Sequence, residues 1–157
     1  MKIPEPLLRS LVNKEVSFRF SGETFSFALS QALFSSYDVD AGTRLLLNTV
    51  LENLIPELQK IPAPAITDVG SGTGVIGICL ARLLQNAAVR AVDRDSLALA
   101  LTGMNAEDNS VAIDLDVNQS MTRFRRPFGD HLVISNIPAK AGEPVIRTFF
   151  ADTAAAL

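Results

Sequence analysis

A glycine-rich stretch, DVGSGTGVIG, has the residue types and spacing to hold a nucleotide-containing cofactor. It follows the apolar run PAIT, and its glycines are Gly70, Gly72, Gly74 and Gly77. Glycines at such a point let the backbone turn sharply into a helix and approach a ligand closely. Read from Gly72, the letters match the GxGxxG pattern of a dinucleotide site. Read from Asp68, they match DxGxGxG, the pattern of a loop that binds S-adenosylmethionine.

Acidic residues on either side of these glycines bear on the choice of cofactor. Asp93 ends the next predicted strand, where it can accept both hydroxyls of an adenosine ribose, and both cofactors carry that ribose. Asp68 is more informative, because a carboxylate there opposes a pyrophosphate but suits the ammonium and sulfonium end of S-adenosylmethionine. The three alternate glycines also favour S-adenosylmethionine, and we keep an NAD-linked oxidoreductase as the rival interpretation.

A second polar stretch, SNIP, follows a later apolar strand and contains Asn136, Ile137 and Pro138. The carboxyl ends of parallel strands meet at one edge of a sheet, where ligands bind in open α/β folds. We therefore expect these residues to face the glycine-rich stretch.

The elements that must position these residues alternate between strands and helices after residue 63, which predicts an α/β fold with a doubly wound, mostly parallel sheet covered on both faces. Before this sheet, a short helix and the alternating segments around SGE predict a β-hairpin with one aromatic face. A helix is expected over 41–54, ended by Pro56. We expect residues 1–40 to form an annex and residues 41–157 the cofactor-binding domain.

Composition removes several classes of function. The net charge of −3 is not that of a stand-alone nucleic-acid binder, although Arg123, Arg125 and Arg126 form a local basic cluster. No apolar run is long enough to cross a membrane, no signal peptide is evident, and we expect a cytoplasmic protein. Cys79 is expected to be buried, and His131 to be structural. With one cysteine and one histidine, we expect no metal site.

In their order and spacing, DVGSGTGVIG, AVDRD and SNIP resemble class I S-adenosylmethionine-dependent methyltransferases, and LFSSYDVDAGTRLLL upstream resembles the methyltransferase small-domain family. The resemblance covers roughly residues 25–150 and implies a Rossmann-like methyltransferase, with the strand order 3-2-1-4 counted from the strand before the glycines. That family includes ribosomal RNA guanine-N2 methyltransferases and, more distantly, glutamine methyltransferases of release factors. The resemblance therefore implies methyl transfer to an exocyclic amine, with ribosomal RNA as the first candidate substrate.

The resemblance also implies roles for individual residues. Those that would wrap the amino-acid part of the cofactor are Gly70, Ser71, Gly72 and Gly74, with Asp68 anchoring the loop. Asp93 would bind the ribose. Asp116 would accept from the adenine amino group near the Val117 N–H, with Asp114 as its rival. Asn136 and Pro138 match part of an N-P-P-aromatic motif, in which the asparagine oxygen and the next backbone carbonyl, here that of Ile137, accept the two N–H bonds of a planar amine.

The chain departs from this motif at two positions. Ile137 replaces a proline and leaves the backbone carbonyl in place, whereas Ala139 replaces the aromatic residue that would stack on a target base. Adenine N6, a protein glutamine, and a non-catalytic nucleotide-binding remnant therefore stay open as alternatives. The chain has four strands of the doubly wound part where the resemblance implies seven, so we expect truncation. We also expect an exposed edge at strand 131–137 through which two copies associate.

Overall fold

The computed structural model describes residues 3–33, 37–118, 129–137 and 141–156. It begins with α1 (Glu5–Ser10), followed by β1 (Lys14–Phe20) and β2 (Glu23–Leu29). The two strands pair antiparallel around Ser21 and Gly22, both of which have positive φ angles, of 50° and 82°. Two-residue turns of this kind match the twist of the strands that they connect. The predicted hairpin is confirmed.

The aromatic face of the hairpin is buried. The buried rings are those of Phe18, Phe20, Phe25 and Phe27. Phe18 stacks on Phe20 and Phe25 on Phe27, with ring centroids 6.3 and 6.1 Å apart, and the Phe18 and Phe27 rings meet at a tilt of 51°. They share one apolar cluster with residues of the next helix and of the central sheet. The core of the molecule therefore continues across residue 40, and a division of the chain at that residue stays a prediction.

The helix α2 (Ala41–Asn53) begins at a capping aspartate. Asp40 accepts a hydrogen bond from the Thr43 N–H at 3.0 Å, which satisfies one of the free donors of the first turn. The helix ends one residue earlier than predicted. Pro56 does not stop helical structure, because it lies in the first turn of a short second helix, α3 (Ile55–Leu58), where its missing N–H costs nothing.

A parallel four-stranded sheet follows. Its strands are β3 (Ala65–Val69), β4 (Ala88–Asp93), β5 (Asp114–Val117) and β6 (Leu132–Ile134), and the helices are α4 (Val75–Leu83), α5 (Ser96–Asp108) and α6 (Glu143–Ala156). The order β5-β4-β3-β6 confirms the predicted topology. β5 and β6 are shorter than the apolar runs suggested. No helix in the described ranges is long and apolar enough to cross a membrane.

Two asparagines of α5 fasten the hairpin to this sheet. The side chain of Asn109 accepts from the Ser26 N–H and donates to the Ser26 carbonyl, at 3.0 and 2.7 Å. Asn105 makes the same pair of bonds with Ala28, at 2.8 and 3.1 Å. Side-chain amides thus occupy the edge of β2 that β1 leaves open, as a third strand would. The hairpin is thereby held in a fixed place beside the glycine-rich stretch.

Candidate functional site

The connection between β3 and α4, residues 70–74, is called the glycine loop below. Its three glycines, Gly70, Gly72 and Gly74, all have positive φ angles, of 68°, 57° and 84°, which residues with a side chain rarely adopt. The N–H groups of Gly70 and Ser71 donate to the Val92 carbonyl at 2.8 and 3.2 Å. The loop is therefore tied to the end of β4.

The glycines of the loop have different surroundings. A Cβ atom added to Gly72 would meet nothing within 4 Å, and one added to Gly70 would meet only Ser135 Oγ at 4.0 Å. At Gly74 the added atom would lie 2.6 Å from Thr102 Cγ2. Gly70 and Gly72 therefore leave open space above the backbone, as close approach of a ligand requires, whereas Gly74 allows α5 to pack closely.

The Asp93 carboxylate supports this loop directly. One oxygen, Oδ2, accepts from the Gly72 N–H at 2.9 Å, and the other accepts from the Asp95 N–H at 3.0 Å. Thr102 donates its hydroxyl to the Gly72 carbonyl at 3.1 Å on the other side. Asp93 therefore bonds the loop directly, a role that the sequence alone did not suggest. Each of its carboxylate oxygens keeps lone pairs for a further donor.

Asp68 lies beneath the loop and is almost fully buried. Its Oδ2 accepts from the Gly77 N–H at 2.9 Å, and its Oδ1 has no partner among the described residues. Burial raises the pKa of Asp68 to about 7, against the Gly77 hydrogen bond and with help from the Asp93 charge. This geometry fits a residue that anchors the loop to α4. Its contact with the cofactor stays a prediction.

A cleft of about 1000 Å³ opens at the carboxyl ends of β3, β4 and β6. The predicted residues that line it are Gly70, Ser71, Gly72, Asp93, Asn136 and Ile137. Gly74, Asp68, Asp116 and Val117 do not line it, and Val117 is exposed. Asn118, directly after β5, does line the cleft. Pro138, Ala139 and the basic cluster lie outside the described residues.

Asn136 is held by residues from the other half of the chain. Its amide nitrogen donates to both Asp40 oxygens at 3.1 Å and to Thr43 Oγ1 at 3.0 Å. Thr43 in turn donates its hydroxyl to Asp40 Oδ2 at 2.8 Å. Partial burial raises the pKa of the Asp40 carboxyl, but hydrogen bonds from Thr43 and Asn136 outweigh it and hold that pKa below its ordinary value.

Sequence reasoning missed this contact. The stretch DVDAGT is typical of the family and of a helix start, but nothing in the sequence pairs Asp40 with a residue 96 positions away. The signal that was available is the cap pattern itself, because an aspartate followed by a threonine three residues later gathers several polar atoms in one place.

The two residues with reactive side chains that stood outside the motifs are structural. His131 Nδ1 accepts from the Ala65 N–H at 3.0 Å, at the amino end of β3 and therefore opposite the cleft. Cys79 is buried in α4, and burial raises the pKa of its thiol well above the ordinary value. No group of three potential metal-ligating side chains occurs in the part of the chain that the structure describes.

Comparison with known sequences identifies the family. The family model of the methyltransferase small domain matches residues 24–157. The uncharacterized protein YbxB of Bacillus subtilis is 31% identical over 147 residues, which cover 90% of this chain and 68% of that protein. The ribosomal RNA small subunit methyltransferase C of Acinetobacter baumannii is 27% identical over 130 residues, or 82% of this chain. The chain spans only 36% of the length of that second relative.

A solved structure shows the same fold. The T. thermophilus 16S rRNA N2 methyltransferase (RsmC), determined in complex with AdoMet and guanosine, matches 92% of this chain and 39% of its own chain with a TM-score of 0.78 and 24% identity. The fold, the open glycines and the polar residues of the cleft all suit an S-adenosylmethionine site. Because the family match extends over most of its length, the chain belongs to the methyltransferase small domain family of S-adenosylmethionine-dependent methyltransferases.

Proposed function

We propose that this chain transfers a methyl group to the exocyclic amine of a nucleobase in RNA, with guanine N2 of ribosomal RNA as the first candidate. One observation carries the proposal: Asn136 lies on the same cleft as the glycine loop and Asp93. An amide oxygen beside a cofactor site can accept an N–H bond of a planar amine and hold it against the donor. Most of the rate acceleration would then come from holding the methyl donor and the acceptor amine in the right orientation.

In this proposal the cofactor is held by the residues that line the cleft. Gly70, Ser71 and Gly72 would contact its amino-acid part, since the open space above these glycines admits a ligand. Asp93 would accept the ribose hydroxyls with the lone pairs that its two backbone donors leave free. When bound, S-adenosylmethionine supplies a methyl group activated by a sulfonium.

The adenine end of the proposed site is assigned to residues at the end of β5. Asp116 and Val117 are assigned to it by resemblance, and the cleft is lined at this end by the next residue, Asn118, whose backbone N–H donates to the Asp93 carbonyl at 3.1 Å. We keep Asp116 and Val117 as proposed adenine contacts and add Asn118, whose side chain carries both a donor and an acceptor.

The acceptor is proposed from the chemistry of the Asn136 site and from its relatives. Guanine N2, adenine N6 and a glutamine amide all present planar N–H groups, so the Asn136 oxygen and the Ile137 carbonyl suit each of them. Relatives whose names specify ribosomal RNA favour the RNA substrate. An NAD-linked oxidoreductase would need a proton donor in the cleft. The histidine of this chain, His131, does not suit that role because it lies at the end of β3 opposite the cleft.

Calorimetric titration tests the cofactor assignment. We expect the protein to bind S-adenosylmethionine with micromolar affinity, to lose that affinity in Asp93→Ala, and not to bind NADH. Thr102→Val is the matched control, because it removes a different bond to Gly72 without touching the proposed ribose ligand. Equal losses in both variants would mean that Asp93 acts only through the loop. NADH binding would contradict the methyltransferase site.

Methyl transfer tests the acceptor. The protein is incubated with methyl-labelled S-adenosylmethionine and either unmodified ribosomal RNA, small ribosomal subunits or a glutamine-containing release factor, and nucleosides are separated by mass. We expect N2-methylguanosine, and no product from Asn136→Ala. N6-methyladenosine or a labelled protein would move the proposal to the corresponding alternative. Retained cofactor binding without any product would favour the non-catalytic remnant.

A further inference from the structure

The start of α2 and the segment after β6 form one hydrogen-bonded group at the edge of the cleft. The amide nitrogen of Asn136 lies 3.1 Å from each oxygen of Asp40 and 3.0 Å from the hydroxyl of Thr43. An amide nitrogen has two N–H bonds to donate. Both are therefore directed at Asp40 and Thr43, and the only group that the side chain has left for another molecule is its oxygen.

The groups of Asp40 and Thr43 that face the Asn136 amide can only accept hydrogen bonds from it. An ionised carboxylate has no proton to donate. The hydroxyl of Thr43 uses its own proton on Asp40 Oδ2, at 2.8 Å, and so turns a lone pair towards Asn136. If the amide were turned over, its oxygen would face the Asp40 carboxylate and a lone pair of Thr43, and its nitrogen would take the place of the oxygen that the proposal assigns to the substrate N–H. Asp40 and Thr43 thus determine that the oxygen of the Asn136 amide, and not its nitrogen, is available to another molecule.

The close packing at Gly42 supports the same arrangement. A Cβ atom added there would lie 3.0 Å from Asp40 Oδ1 and 3.1 Å from Asn136 Oδ1, closer than nearly all contacts of real side chains. Glycine therefore gives the carboxylate and the amide room to meet.

We propose that Asp40 and Thr43 are positioning residues, which fix the amide of Asn136 so that its oxygen receives the N–H bond of the methyl acceptor. The proposal rests on the function proposed above, because it assigns Asn136 to acceptor binding. It makes the site selective for acceptors that donate an N–H bond. A carbonyl group, which has no proton to donate, would not be held by the Asn136 oxygen.

Asp40→Asn tests the orientation without removing the helix cap, since asparagine caps as well as aspartate. The amide oxygen of the substituted side chain is needed by the Thr43 N–H, so its NH₂ group takes the place of Oδ2 and faces the Asn136 nitrogen. We expect Asn136 to turn over in response. The control is Asp38→Asn, which alters a carboxylate that bonds the Val39 N–H and Arg44 instead.

Side-chain amide exchange in ¹⁵N-labelled protein measures the orientation directly. The Asn136 signals are assigned by their loss in Asn136→Asp. We expect these protons to exchange with water about tenfold more slowly than those of the exposed Asn48, as two hydrogen bonds imply. That protection should disappear in Asp40→Asn and Thr43→Val, and persist in Thr43→Ser and Asp38→Asn. Fast exchange in the unaltered protein would overturn the proposal.

Methyl transfer to ribosomal RNA at saturating cofactor gives the functional readout. We expect Asp40→Asn and Thr43→Val to lower kcat about a hundredfold, the cost of misplacing a positioning group by ~1 Å, with the Kd for S-adenosylmethionine unchanged. Thr43→Ser should restore the rate. An unchanged kcat in both Asp40→Asn and Thr43→Val, or an equal loss of cofactor affinity, would refute the positioning role. If the unaltered protein methylates no RNA, the proposed function fails, and the exchange experiment still decides the orientation.

Discussion

At the scale of single residues, the glycines of one loop are required for different reasons. Gly72 has empty space where a side chain would project, and Gly74 has Thr102 there. Both have left-handed backbone angles, so the difference lies in their neighbours and not in their conformation. The same substitution at the two positions therefore separates cofactor binding from folding.

Gly74→Ala should mainly destabilise the fold. We expect the free energy of unfolding to fall by about 2–5 kcal/mol, from ~1–2 for a left-handed residue and ~1–3 for overpacking. Gly72→Ala should cost only about 1–2 kcal/mol of stability, yet should abolish measurable S-adenosylmethionine binding. Urea unfolding and calorimetry on the two variants check this. The reverse pattern would mean that the open space above Gly72 is not the cofactor site.

Because of Asp68, the free energy of unfolding should fall as the pH rises. Its pKa is about 7 in the folded state against an ordinary value of 3.8, so between these values the native protein holds a proton that the unfolded chain has lost. The free energy of unfolding should therefore decrease across this range, by up to about 1.4 kcal/mol per pH unit for one group. Asp68→Asn should remove this component, and the exposed Asp108→Asn should keep it. Denaturant unfolding at a series of pH values measures it, and equal slopes in all three proteins would contradict the burial effect.

At the scale of elements, the contact between α5 and the hairpin decides where the glycine loop sits. Asn105 bonds both backbone groups of Ala28 and donates as well to the Thr73 carbonyl at 2.8 Å. A single buried side chain therefore joins three elements: the helix, the edge of β2 and the loop. The hairpin is in this way connected to the cofactor site as well as to the core.

Asn105→Ala should be among the more damaging single changes in the helices. It leaves three backbone groups without partners, at ~1–3 kcal/mol each, so we expect a loss of about 3 kcal/mol or more in the free energy of unfolding. Asn53→Ala is the control, because Asn53 is exposed and bonds only the Thr49 carbonyl of its own helix. Urea unfolding compares them. A loss in Asn105→Ala no greater than in the control would show that the β2 edge does not need the side-chain amides.

At the scale of the whole molecule, the β6 edge of the sheet is the proposed site for pairing with a second copy of the chain. Among the described strands β6 pairs only with β3, so no described strand occupies its other side. The neighbouring helix α6 carries a different feature that favours association, the exposed apolar ring of Phe150. Association through strand 131–137 stays our proposal, and the two features can be distinguished.

Sedimentation equilibrium should show a dimer that forms with rising protein concentration and survives the substitution Phe150→Ser. Backbone pairing at the β6 edge does not depend on that ring, whereas packing of two α6 helices would. A monomer at the highest concentration would refute association through the edge. A dimer that is lost in Phe150→Ser would place the interface on the helix.

Several features were predictable because they depend on short stretches of chain. The hairpin follows from alternating apolar residues around Ser21 and Gly22. The strand order 3-2-1-4 was implied by the family resemblance, which those short motifs carry. Errors arose where tertiary contacts set the limits: β5 and β6 are shorter than their apolar runs, and Pro56 begins a helix.

The sequence by itself determined the elements and the position of the glycine loop, because glycine spacing and apolar periodicity act locally, and its motifs determined the family and, through the resemblance, the strand order. Only the tertiary structure decided that Asp68 lies beneath the loop, that Gly74 is required for packing and that Asp40 holds Asn136. These contacts join residues from 9 to 96 positions apart. No local pattern encodes such pairs, because the sheet order and the packing of α2 against it bring them together.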